Sequence, residues 1–172
     1  MRPGGGHAKG SAFERKIARL LSKAYYGKEG YLWRRPGSEQ RSGQPNLHTG
    51  DVVPLGNMVL PKPWTFHVEC KAYKRDALRI YNLITDTRRS PIDKFFTKAF
   101  RTKRPDLMIV LVVKENKRNP MVFMHWEDAD GHDLGNVKNR IVFDVKKVGT
   151  IVGFDFRLFV ERLKVWENYG QE

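Results

Sequence analysis

Phe66-His67-Val68-Glu69-Cys70-Lys71 is the stretch whose reading decides the fold of this chain. Successive side chains of a strand point to opposite faces. Phe66, Val68 and Cys70 then line one face, and His67, Glu69 and Lys71 the other. An ordinary exposed strand face also carries Glu and Lys two residues apart. Three surrounding features point beyond that: Asp51 in Gly50-Asp51-Val52-Val53 on a preceding strand, Glu14 further upstream, and a basic chain around them.

Outward from this strand, the turn signal Gly56-Asn57 and the breaks at Pro61 and Pro63 predict that 51–60, with an interruption at Pro54, pairs with 64–71 as an antiparallel hairpin. Tyr31 to Arg34 reads as a short strand. The loop that follows, from Arg35 to Asn46, is rich in Gly, Pro, Ser and Arg, and suits phosphate contacts. Upstream, residues 1–10 read as a flexible basic arm. Ser11 caps a helix over about 12–26, with Glu14 as its capping-box partner. Phe13, Ile17, Leu20, Leu21 and Ala24 form the buried stripe of that helix, and Gly27 ends it.

Downstream, 76–85 reads as a short helix capped by Asp76. Ser90-Pro91 opens a second, with Asp93 in its first turn and Phe95, Phe96, Ala99 and Phe100 along it. Leu107 to Val113 is a continuous apolar run, hence a strand buried on both faces and joined by a crossover to a parallel neighbour. Met121 to Trp126 is a further strand. The acidic run from Glu127 to Asp133 reads as a turn. Residues 141–145 and 148–152 read as short strands, and Asp155 caps a last helix with Phe156, Phe159, Val160, Leu163 and Trp166 facing inward. The organisation expected is an N-terminal arm over 1–10 and one α/β domain over 11–172 around a central mixed sheet, with a strand and helix extension from about 127.

Composition narrows the function. The 172 residues suffice for one domain with its own core, and 40% hydrophobic residues mark a globular chain. Thirty-two Lys and Arg against nineteen acids give a formal charge of +13, which favours a polyanionic partner, nucleic acid first. A single cysteine excludes an internal disulfide and a cysteine-rich zinc cluster. No apolar run is long enough to span a membrane, the N-terminus lacks the apolar core of a signal peptide, and a cytoplasmic setting is the expectation. No Gly-rich phosphate loop ending in Gly-Lys-Ser/Thr is present, and the five histidines lack paired ligand spacing.

If Glu14, Asp51 and Glu69 converge, their charges conflict. Two carboxylates about 4 Å apart repel by about 4 kcal/mol at an effective dielectric of about 20. Lys71 offsets part of that; the rest is relieved by taking up a proton or a divalent cation. Carboxylate oxygens select Mg²⁺ or Mn²⁺, and such an ion with a neighbouring lysine suits in-line hydrolysis of a phosphodiester.

The order Asp51, then Glu69-Cys70-Lys71, resembles the D…(D/E)xK motif of the restriction-endonuclease-like nucleases. Lys9-Gly10-Ser11-Ala12-Phe13-Glu14-Arg15 and Arg34-Arg35-Pro36-Gly37-Ser38 resemble the opening segments of archaeal-type Holliday junction resolvases. The likeness covers about residues 9 to 126. The loop from Glu39 to Thr49 and the segment from Tyr73 to Arg89 look longer than in those proteins, and the tail from about 127 has no counterpart. A phage-encoded member, working in the host cytoplasm, fits the variation. The resemblance implies a restriction-endonuclease-like fold and a homodimeric, Mg²⁺-dependent endodeoxyribonuclease that cuts four-way junction DNA, with Mn²⁺ as a substitute. It implies that Glu14, Asp51, Glu69 and the main-chain carbonyl of Cys70 hold the metal and that Lys71 handles the water. Arg15, Arg34, Arg35 and Ser38 would contact the DNA. Two alternatives are another nuclease of this fold, sequence-specific or single-strand-specific, and a DNA-binding module without turnover.

Overall fold

The computed structural model describes residues 5–35, 50–56, 58–73, 90–102 and 106–166. Its centre is a seven-stranded mixed sheet of order β1-β2-β3-β4-β5-β7-β6. The strands are β1 (Leu32–Arg34), β2 (Val52–Pro54), β3 (Phe66–Tyr73), β4 (Met108–Glu115), β5 (Met121–His125), β6 (Ile141–Val145) and β7 (Gly149–Asp155). β3 and β4 run parallel, with Glu69 opposite Leu111 and Lys71 opposite Val113. The other described pairings are antiparallel.

Helices cover both faces, as an α/β fold of this kind requires. α1 (Gly5–Tyr26) and the C-terminal α4 (Phe156–Val165) pack on one face against Phe66, Val68, Cys70, Val110 and Val112. α2 (Pro91–Thr102) packs on the other, placing Ile92, Phe96 and Ala99 against Ile109, Leu111 and Val113. β4 divides its side chains between the two cores, which is why its sequence is apolar without alternation.

The expected hairpin of β2 and β3 forms, with Val52 opposite Val68. β2 stops at Pro54, short of the expected 60, where proline has no N–H to continue a ladder. The expected crossover to a parallel neighbour is the path from β3 to β4. The helix expected at 76–85 lies outside the described residues. Ser90 caps α2 by accepting the Ile92 N–H at 3.2 Å, and Asp155 caps α4 by accepting the Arg157 N–H at 2.8 Å.

Five expectations are corrected. α1 begins at Gly5, so the arm expected over 1–10 is helical from its fifth residue. Extending a formed helix backward adds one hydrogen bond per residue fixed, which offsets the poor propensity of glycine. Ser11 and Glu14 are therefore interior to α1, and no capping box forms. Leu20 is exposed; at about 100° per residue it sits at the margin of an arc centred on Ile17 and Leu21, and Ala18 and Tyr25 fill the other side. The acidic run is no simple turn: Trp126–Asp130 form a short helix, α3, before the chain turns. β7 reaches Asp155, past the expected 152, because pairing with β5 extends to Met121 opposite Asp155.

Candidate active site

The site forms where β2 and β3 part. Gly50 has φ +104°, and a Cβ there would lie 2.6 Å from the Val68 carbonyl oxygen. Only glycine lets the chain run this close to β3 in that conformation. The next residue, Asp51, donates its backbone N–H to Val68 O at 2.7 Å, while its carbonyl accepts the Arg35 N–H at 2.9 Å. These bonds fix the Asp51 backbone between β1 and β3. Its carboxylate Oδ2 accepts the Cys70 N–H at 2.8 Å. Val68 and Cys70 thus turn their peptide groups toward β2, and beyond the end of that ladder the Cys70 carbonyl shares the Asp51 side of β3.

Glu69 and Lys71 leave β3 on the face opposite Cys70. Lys71 Nζ donates to Glu69 Oε2 at 2.8 Å and lies 3.8 Å from Asp51 Oδ2, so one ammonium bridges two carboxylates. Glu14, from α1, accepts a hydrogen bond of 2.6 Å from Arg34 Nε at the end of β1. Arg15 is exposed beside Glu14, and Arg35 is half-buried. Ser38 lies outside the described residues. The structure therefore brings Asp51, Glu69, Lys71 and the Cys70 backbone together, and holds Glu14 on Arg34 in the same neighbourhood. Among the described residues, no three carboxylate, imidazole or thiol groups are closed up as a ready-made metal cage.

Electrostatics single out Asp51, the residue before β2. Burial, and then the Glu69 charge, push the Asp51 carboxyl up from 3.8 to about 6; the Cys70 N–H and Lys71 pull against this, and Glu14 adds to it. For Lys71, burial opposes the charge, but Glu69 and Asp51 outweigh it and hold the amine above its ordinary value. Lys71 is therefore an ammonium facing both carboxylates. Burial pushes the Cys70 thiol well up, which leaves it an inert core group.

Two contributors escape a reading for charged motifs. Gly50 positions Asp51; its signal is a glycine directly before the acid. His67, nearly buried, brings Nε2 to 3.7 Å from Glu69 Oε1, behind the carboxylate that Lys71 faces. Its signal is its place on the acid face of β3.

A mixed sheet between helices, with Asp51 facing Glu69-Cys70-Lys71 across a fork of strands, defines the restriction-endonuclease-like class of α/β proteins. A family model described as "Phage putative PDDEXK endonuclease" matches residues 5–171, and the chain belongs to that family. No curated protein and no solved structure matches the chain. Among the described residues no helix is long and apolar enough to cross a membrane.

Proposed function

We propose that this endonuclease is a metal-dependent, structure-selective enzyme that resolves four-way DNA junctions as a homodimer. The observation that carries the catalytic reading is the Lys71 ammonium held between Glu69 and Asp51, with Asp51 also fixed by the Cys70 N–H. A set of hard oxygens strained by burial and like charge fits a divalent cation, Mg²⁺ or Mn²⁺. Asp51, Glu69 and the Cys70 carbonyl would hold it, with Glu14 joining on release from Arg34. When bound, such an ion supplies Lewis acidity and positive charge beside a phosphodiester.

The chain's own residues do the rest. Lys71 orients the attacking water or donates to a phosphoryl oxygen. Glu69 accepts from Lys71 at 2.8 Å and keeps it in place. Arg15, Arg34, Arg35 and Ser38 are the proposed contacts to backbone phosphates. Support for the junction as substrate comes from the segments Lys9 to Arg15 and Arg34 to Ser38, which resemble junction resolvases. A two-fold protein would present paired sites to a nearly two-fold DNA.

Cleavage of a four-way junction, a flap and a blunt duplex with Mg²⁺ tests this reading. Paired nicks confined to the junction are expected, and equal cutting of plain duplex overturns junction selectivity. Asp51→Asn is expected to abolish cutting while DNA binding persists. Normal cutting by that variant places the chemistry elsewhere.

A further inference from the structure

α2 leans on the sheet through Ile92, Phe96 and Ala99, over β4 and its neighbours. Its other flank stands clear of β3, and a groove of about 360 Å³ lies between them. The floor is the outward row of β3, Glu69, Lys71 and Tyr73; the wall is Lys94, Phe95 and Lys98 of α2. The row on β3 has a period of two, and the wall residues fall within about one turn of each other on α2. One end of the groove is thus the candidate active site itself.

Its chemistry is mixed in a specific way. Lys71, Lys94 and Lys98 supply positive charge, and among the described lining residues Glu69 is the one acid. Tyr73 and Phe95 are both half-buried rings that face the same space from opposite sides. A volume near the lower end of small-ligand sites suits one mononucleotide. In a duplex each base face is covered by its neighbours, so a base meets a protein ring only after leaving the stack.

We infer that this groove takes one unpaired nucleotide of the strand being cut, its base against Phe95 and Tyr73 and its phosphate toward Lys94 and Lys98. The inference rests on the endonuclease reading above and adds to it the part of the substrate read beside the scissile phosphate. An unpaired nucleotide next to the cut is available at a branch point, a flap or a single strand. It is absent from an intact duplex. The groove therefore supplies a physical basis for selecting structure over sequence.

The test is binding of a short fluorescent oligothymidylate, and of a blunt duplex of equal length, to the full chain in EDTA. Phe95→Leu keeps an apolar side chain on α2 but removes the ring. It is expected to weaken oligothymidylate binding roughly fivefold to a hundredfold, the range for losing one stacked base, and to leave duplex binding within about twofold. Lys94→Ala with Lys98→Ala, at two exposed positions, is expected to leave the melting transition in place and to flatten the oligothymidylate salt dependence by about 0.7 for each phosphate no longer neutralised. Equal losses for both ligands, or no loss with either variant, overturn the groove. The unaltered protein is assayed in parallel for cleavage with Mg²⁺ and with Mn²⁺. Failure to cut any DNA overturns the endonuclease reading and this inference together, whereas cutting with unchanged oligothymidylate binding by Phe95→Leu overturns the groove alone.

Discussion

Asp51 sits where stability and function pull in opposite directions. Its folded-state value of about 6 lies above the ordinary 3.8, through burial first and the Glu69 charge second. Between these values the folded chain binds more protons at this position than the unfolded chain. The stabilising contribution is thus complete below about 4 and is lost as pH rises through about 6. With a side chain 29% exposed, solvent screening reduces the effect to the order of 1–3 kcal/mol. Comparing parent and Asp51→Asn by urea unfolding in EDTA cancels the titrating groups remote from this site, so the difference reports Asp51 with its neighbours Glu69 and Lys71. The variant is expected to match the parent near pH 4 and to exceed it by that amount at pH 7; a variant less stable at pH 7 contradicts the assignment. Divalent cation should then stabilise the parent and not the variant. Gly50 offers a second test at this scale. Gly50→Ala forces a side chain into a left-handed backbone and onto the Val68 carbonyl, at a cost of about 1–3 kcal/mol or more. Because Asp51 is the next residue, cleavage is expected to fall further than the lost stability explains, as read by comparing activity with the folded fraction.

The elements were legible where a pattern is local. β3 read correctly because its alternation separates the core row, Phe66, Val68 and Cys70, from the row that carries Glu69 and Lys71. β4 read correctly because five consecutive buried residues, Ile109 to Val113, leave no polar row. Ser90-Pro91 marked the start of α2 through a cap whose bond is seen. What was hidden depends on contacts distant in sequence. β7 inserts between β5 and β6 with Gly153 opposite Phe123, where a Cβ would meet the Phe123 ring at 2.4 Å, a long-range fit that no local pattern announces. Glu14 was ambiguous between a cap and a site residue until its partner, twenty residues away on β1, was known. The groove was illegible because its floor lies on β3 and its wall on α2, within the crossover that follows, and only the tertiary fold brings them face to face. Ser90→Ala tests the start of α2 directly. Losing the bond to the Ile92 N–H at a buried position should cost about 1–2 kcal/mol, seen as a lower denaturant midpoint with an unchanged slope.

For the whole molecule, the segment beyond β5 is part of the core and no appendage. β7 covers the edge that β5 would otherwise expose, and α4 packs against α1. Val152, Phe154, Phe156, Phe159 and Leu163 are all at most 4% exposed. At roughly 2 kcal/mol for each fully buried apolar side chain, these five contribute about 10 kcal/mol. That is comparable to the entire net stability of a domain this size, about 5–15 kcal/mol. A chain stopped after His125 would lose this burial and present β5 as an unprotected apolar edge. It is therefore expected to lack a cooperative unfolding transition and to aggregate, measured by circular dichroism and light scattering. A soluble truncated protein that still melts cooperatively would show that residues 5–125 form a self-sufficient unit and that the later strands serve some purpose other than stability. The same covering explains how the candidate site can tolerate a strained Asp51: the destabilisation toward one edge of the sheet is offset by apolar burial on the strands toward the other.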